Sequence, residues 1–227
     1  MERDISVGGL LRATFAMIAG DVAVFLLILA AIVAGTVFLD TAMSNGGNLL
    51  GFPVLIVQYY MTRRLVDRAG LRVADRFAGF GSFFLLGIIT GVPILLGYLL
   101  LIVPGVYLTA RWAMADAALL AENQGSGTAA SRSSAASAGH VLPLALTVLV
   151  IYLPSIVSTV VTLAYADAIA MPNMVSGSAD TLPMVYGFDI AITSLVYGSQ
   201  IAGWYFGVAA FALIVGRPEA ELSEVFA

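Results

Sequence analysis

Between Ile5 and Ile18, Val7, Leu10, Leu11, Phe15 and Ile18 recur at helical spacing, and Arg12 falls off that stripe. The spacing predicts an amphipathic helix over 5–18 lying in a membrane interface, or else an extension of the apolar run that follows it. Val22 to Leu39 carries no charge, and 18 helical residues rise about 27 Å, close to the hydrocarbon thickness of a bilayer. Further runs of the same kind fall at about 46–62, 79–103, 106–121, 141–166 and 185–216. The predicted fold is therefore all-α: a single polytopic transmembrane bundle of about six spans, preceded by the interfacial helix and followed by a tail at 217–227.

The connections are as informative as the runs. Asn45, Gly46, Gly47 and Asn48 predict a turn before the second span, and Pro53 predicts a kink inside it. No charge occurs from Phe77 to Ala110, too long a stretch for one crossing, so Pro104-Gly105 is the expected hairpin between the third and fourth spans. Gly125 to Gly139, rich in Ser, Ala and Gly, predicts a short helix or loop in water or at the interface. Pro154 predicts a kink in the fifth span, and a polar segment from Pro172 to Thr181 precedes the sixth.

Composition turns this pattern into a solvent argument. Apolar residues make up 60% of the 227 and charged residues 11%, against about 45–50% and about 25% in a soluble domain. Water would face large apolar patches on any globule of this composition, whereas lipid solvates them without penalty. The ten basic residues are all arginine. Arg63, Arg64, Arg68, Arg72 and Arg76 share the connection after the second span, Arg3 and Arg12 lie before the first, Arg132 follows the fourth, and Arg217 follows the sixth. The connections at Thr41 to Asn48 and Pro172 to Thr181 have none, so the positive-inside rule puts both termini in the cytoplasm. The mixed charges of Glu2, Arg3 and Asp4 differ from the cationic lead of a signal peptide, so the first span is expected to be retained. The lack of an Asn-x-Ser/Thr sequon agrees with a bacterial inner membrane.

Several chemistries are excluded by residue type. There is no cysteine and one histidine, His140, so common zinc ligand sets cannot be assembled from this chain. Ser-His-Asp catalysis would need His140, and no G-x-S-x-G accompanies it. Without lysine there is no phosphate-cradling G-x-x-x-x-G-K-[ST]. A net charge of −4 with ten cations argues against nucleic acid as a partner. No cofactor is expected.

Ionisable groups inside spans cost about 2.5–3.5 kcal/mol each on insertion scales and so need a partner or a reason. Arg111 lies six residues past Gly105, in the outer leaflet together with Asp40, Asp167 and Asp189. It is expected to pair with at least one of these aspartates, or to snorkel to the headgroups. Asp116 is deeper, and its five-residue offset turns it about 140° from Arg111 on a continuous helix. It is then protonated and hydrogen-bonded in the bundle, or faces a polar cavity, or lies in a shallow, re-entrant fourth span that leaves it wet. Gly87-x-x-x-Gly91 and Gly203-x-x-x-Gly207 fit close helix packing within or between chains.

Motifs along most of the chain resemble one family. Ile5-Ser-Val-Gly-Gly-Leu-Leu-Arg-Ala-Thr-Phe, the hairpin Leu100-Leu-Ile-Val-Pro-Gly-Val-Tyr-Leu with Arg111-Trp112-Ala-Met-Ala and Glu122, and Ala129-Ala-Ser-Arg-Ser-Ser134 occur in its order. The chain resembles the bacterial glycerophosphoryl diester phosphodiesterase membrane-domain and YciC-like integral membrane proteins. It departs from that pattern at Asp116-Ala117, where an apolar residue and a proline are expected. The resemblance implies a helical inner-membrane protein. In the proteins that give the family its name a separate catalytic barrel carries the activity, and no stretch of these 227 residues suits that barrel. The expected role is thus non-enzymatic: a scaffold, accessory subunit or lipid-organising element, with membrane lipids, other membrane proteins or a second copy as partners. A small transporter or channel using Asp116 and Arg111 is the alternative, and a lipid-modifying enzyme built on carboxylates the third.

Overall fold

The computed structural model describes residues 5–43, 49–164 and 182–216. The turn at Asn45 to Asn48, Asp167, the segment Pro172 to Thr181 and the tail 217–227 lie outside the described residues. What is described is helical, with no strand: α1 Val7–Gly20, α2 Val22–Ala42, α3 Gly51–Arg68, α4 Phe80–Leu100, α5 Ile102–Trp112, α6 Ala115–Glu122, α7 Ser126–Ala136, α8 Val141–Ala164 and α9 Leu182–Ile214.

Proline sets many of these starts. Pro53, Pro104, Pro143 and Pro183 each fall at the second or third position of a helix. The missing N–H is harmless there, because first-turn amides have no intrahelical acceptor. Pro53 therefore begins α3 and does not kink it. Pro104 and Gly105 likewise lie inside α5, and the predicted hairpin turn moves to Leu101, whose extended backbone separates α4 from α5. Ser6 starts α1 by accepting a hydrogen bond from Gly9 N–H at 3.1 Å.

Among the described residues three helices are long and apolar enough to cross a membrane: Val22–Asp40, Phe80–Leu100 and Val141–Ala164. Their outward surfaces are apolar, including Leu26 and Leu27 on α2, Leu85, Val92 and Leu95 on α4, and Leu153 and Val160 on α8. From Leu99 to Val103 five successive large aliphatic residues are each at least 68% exposed. Hydroxyls in these helices close on their own backbone: Thr36 donates to Ile32 O, Thr90 to Leu86 O, Thr147 to Pro143 O and Ser158 to Pro154 O, at 2.7–2.9 Å. That bonding lets a polar side chain ride on a helix surrounded by hydrocarbon.

The contacts divide the chain into two compact units. The first comprises Met1–Asp21, Leu55–Val150 and Ala202–Ala227. In it α4 and α5 form a hairpin, closed where glycine lets the backbones touch. A Cβ at Gly97 would stand 2.9 Å from Gly105 N, and one at Gly105 would stand 2.5 Å from the Tyr98 ring. The 106–121 run is not one continuous helix. It breaks at Ala113-Met114, and α6, only eight residues long, is almost wholly buried from Ala117 to Ala121. Ala121 O accepts from Val73 N–H at 2.9 Å, so the return path ends beside the segment that leads into α4. On α7, Ser126, Ala129, Ala130 and Ser133 form one buried face that Ser137, at its C-cap, continues. The Ser/Ala segment is thus a short helix, one of the two forms expected of it, and it packs against α4, α5 and α6. Gly207 on α9 passes the break so closely that a Cβ would lie 2.6 Å from Ala113 O.

The second unit comprises Val22–Val54 and Ile151–Ile201. Its described part is built from α2, the end of α8 and the first two-thirds of α9. Gly35 lets Leu50 approach α2, a Cβ there meeting the Leu50 side chain at 3.4 Å.

Glycine positions make the packing testable. Gly105→Ala is expected to destabilise the detergent-solubilised protein by about 1–3 kcal/mol, because the added Cβ would overlap Tyr98 Cγ at the base of the ring and force the side chain from its place. Tyr98→Ala in the same chain should recover part of the loss. Gly87→Ala, which meets nothing within 4 Å, should be neutral or stabilising by up to about 1 kcal/mol. Thermal melts in which Gly105→Ala and Gly87→Ala behave alike would contradict this hairpin.

Candidate functional site

Arg111 and Asp116 flank the α5–α6 break. Arg111 occupies the last turn of α5 and Asp116 the first turn of α6. A helix ends with unsatisfied carbonyls and begins with unsatisfied amides, so a cation suits the first position and an anion the second. The break that parts them also explains why both charges occur in an apolar run.

Their contacts complete the picture. Arg111 Nη2 donates to Ser134 Oγ at 2.5 Å, and its guanidinium stands 5.9 Å from the Tyr107 ring centre. The Arg111 carbonyl, left without an intrahelical donor by the break, accepts from Ser133 Oγ at 2.9 Å and from Ser137 Oγ at 3.3 Å. Two serines of α7 and the one that caps its end therefore serve one residue of α5. Asp116 Oδ2 accepts from Gln58 Nε2 of α3 at 2.9 Å. The described partner of the Arg111 side chain is Ser134; of the aspartates expected to pair with it, Asp167 lies outside the described residues, and Asp40 and Asp189 belong to the second unit. Among the described residues Gly87 and Gly91 have open space at their Cβ positions. Gly207, unlike them, is a close-contact position.

A second polar cluster was not visible in the sequence. Asp21 follows α1, is 7% exposed, and is held by two arginines one turn apart on α3. Arg64 Nη2 approaches Asp21 Oδ1 at 2.9 Å and Arg68 Nη1 at 2.6 Å. The Tyr205 hydroxyl of α9 lies within electrostatic reach of Asp21, Arg64 and Arg68. Arg63, Arg64 and Arg68 thus stand on the last turns of α3, which runs six residues beyond the apolar run, and not in a loop. Burial pushes the Asp21 carboxyl up, but the hydrogen bonds and charges of Arg64 and then Arg68 outweigh it and hold the group below its ordinary 3.8.

In the second unit, α2 and α9 line an open apolar groove that includes Leu26, Ala30, Val33, Val37 and Ile190. Its one hydroxyl, on Ser194, is turned to Ile190 O at 2.6 Å. Among the described residues no cluster of three His, Cys, Asp or Glu could hold a metal ion.

With this geometry in hand, comparison with known proteins adds nothing further: no family model matches the chain, and neither does a curated protein or a solved structure.

The Asp21 cluster predicts a pH dependence whose sign is fixed. The folded carboxyl titrates lower than the unfolded one, so its contribution is complete above pH 3.8 and is lost as pH falls through the folded value. Asp21→Asn is expected to cost about 2 kcal/mol at neutral pH, and its melting temperature should fall less steeply below pH 3.8 than that of the unmodified protein. Identical slopes in detergent melts would show that Asp21 is not held in this way.

Proposed function

We propose that this chain is a multi-pass bacterial inner-membrane protein with cytoplasmic termini that acts without enzymatic chemistry, as a scaffold or accessory subunit that organises lipid and partner helices. One observation carries this reading. The ionisable groups at the helix break are used internally, Arg111 by Ser134 and Asp116 by Gln58, while the outward faces of α2, α4 and α8 are aliphatic. A catalytic or conducting site needs polar groups aimed at a substrate path. These are aimed at neighbouring helices.

The six-span topology belongs to the same proposal. The crossings are α2, α3, α4, the broken pair α5 and α6, α8 and α9, with α1 in the interface. Arginine asymmetry supports the orientation, and the bond from Val73 N–H to Ala121 O supports α5 and α6 together making the return crossing. The resemblance to the glycerophosphoryl diester phosphodiesterase membrane-domain family supports a role that involves lipids.

A second reading, transport, is favoured by one feature: Asp116 is a partly buried carboxylate whose hydrogen-bond partner is a neutral amide. Asp116→Asn separates the two. The scaffold reading expects this variant to co-elute from mild detergent with the same membrane proteins as the unmodified chain, and to leave proton and solute flux in proteoliposomes unchanged. Elution of the unmodified chain with no partner would sink the scaffold reading, and a flux abolished by Asp116→Asn would establish the transporter.

A further inference from the structure

The connection between α3 and α4 gathers guanidinium groups more densely than its carboxylates can neutralise. Arg63 and Arg72 both approach the ring of Phe77, at 4.5 and 5.4 Å from its centre. The two cations are consequently no more than about 10 Å apart, the separation they would have on opposite sides of the ring. Arg64 and Arg68 stand on the same last turns of α3 with their side chains about half exposed. Against these four cations the structure sets two carboxylates, Asp21 shared by Arg64 and Arg68, and Asp67, which pairs with Arg72 at 3.4 Å. Among the described residues Arg63 has no carboxylate within ion-pair distance. Asp75 and Arg76, exposed in the same connection, offset each other in charge, so the local excess is two positive charges on an exposed surface.

An aromatic ring can hold a guanidinium by its face while leaving the planar fork of N–H donors free. That fork matches the oxygens of a phosphate, and two forks converging from one ring can grip a single phosphate from two directions. Phe77 thus holds two like charges within about 10 Å of each other, and an anion that contacts both at the edge of the ring would relieve their repulsion. The segment also runs directly into α4, one of the helices apolar enough to cross a membrane. A phosphate at this depth belongs to a lipid headgroup.

We propose that Arg63 and Arg72, presented on Phe77, form a binding site for the phosphate of an anionic phospholipid in the leaflet that faces the α3–α4 connection. The proposal rests on the membrane reading above and names the lipid chemistry that goes with it. Two arginines fix the headgroup, Phe77 sets their spacing, and the Asp21 cluster with Arg64 and Arg68 locks the turn of α3 that carries Arg63.

The test uses the full chain in mild non-ionic detergent and measures by native mass spectrometry how much phosphatidylglycerol and phosphatidylcholine it retains from an equimolar mixture. The unmodified protein should prefer phosphatidylglycerol by about fivefold or more. Arg63→Gln with Arg72→Gln should bring the two lipids to parity. Phe77→Leu should lower the preference without abolishing it, and Arg132→Gln, whose partner is Glu122 on a different segment, should leave it intact. A preference that survives in the Arg63→Gln/Arg72→Gln protein, when that protein elutes as the unmodified one does, overturns the site. Inorganic phosphate provides the second arm: thermal stabilisation by phosphate alone, equal to that by phosphatidylglycerol and lost in the same double variant, would overturn the lipid assignment in favour of a free anion. Failure of the membrane reading looks different, since the chain would then stay monodisperse with no detergent present at all.

Discussion

Aliphatic side chains cover the outside of α2, α4 and α8, and the tip from Leu99 to Val103 is more exposed than anything in the two cores. Water would penalise every one of these residues, at about 25 cal/mol per Å² of apolar surface. Hydrocarbon removes the penalty and imposes another, because it offers no hydrogen bond to an open peptide group. The rest of the structure follows from that exchange. Threonines and serines of the apolar helices turn back on carbonyls four residues earlier, and Pro53, Pro104, Pro143 and Pro183 lie in first turns where a missing N–H costs nothing, while Pro93 and Pro154 stand inside α4 and α8.

The same constraint makes the break at Ala113-Met114 the most demanding place in the first unit. A broken helix in a dry setting leaves carbonyls on one side and amides on the other. Ser133 of α7 and Ser137 at its C-cap satisfy the Arg111 carbonyl, Ser134 receives the Arg111 guanidinium, and Asp116 stands at the amino end of α6 with Gln58 as its partner. Gly207 brings the backbone of α9 against the break itself. In the scaffold reading proposed above, the residues that read singly as a transport carboxylate or a snorkelling cation are parts of one repair. The proposal of a non-enzymatic, lipid-organising protein grows from this use of its charges.

Much of this fold could be read from the chain, and what could not has identifiable causes. The apolar runs at 22–40, 79–103 and 141–166 lie close to α2, α4 and α8, because length and absence of charge decide such helices. The extension of α3 to Arg68 was hidden because arginine ends an apolar run without ending a helix, being a good helix former. Pro104-Gly105 looked like a turn, yet proline at a third helical position starts a helix, and the glycine serves the contact with Tyr98. The α5–α6 break carries no proline or glycine. Its signal was the order of charges, a cation at Arg111 and an anion at Asp116, which is how one helix ends and the next begins. The Asp21 cluster had no local signal, since its members are 43 and 47 residues apart.

The account stands on hydrocarbon being the solvent of these helix surfaces, and the absence of cysteine makes that directly measurable. Single cysteines placed at Leu85, Val92 and Leu95 of α4 and at Arg76, carried by the protein in liposomes, can be spin-labelled and their exposure to oxygen and to a water-soluble nickel chelate compared. Hydrocarbon around α4 predicts high oxygen and negligible chelate accessibility at the three α4 positions, with the reverse at position 76. Chelate accessibility at Leu85, Val92 and Leu95 equal to that at position 76 would contradict the account at its base.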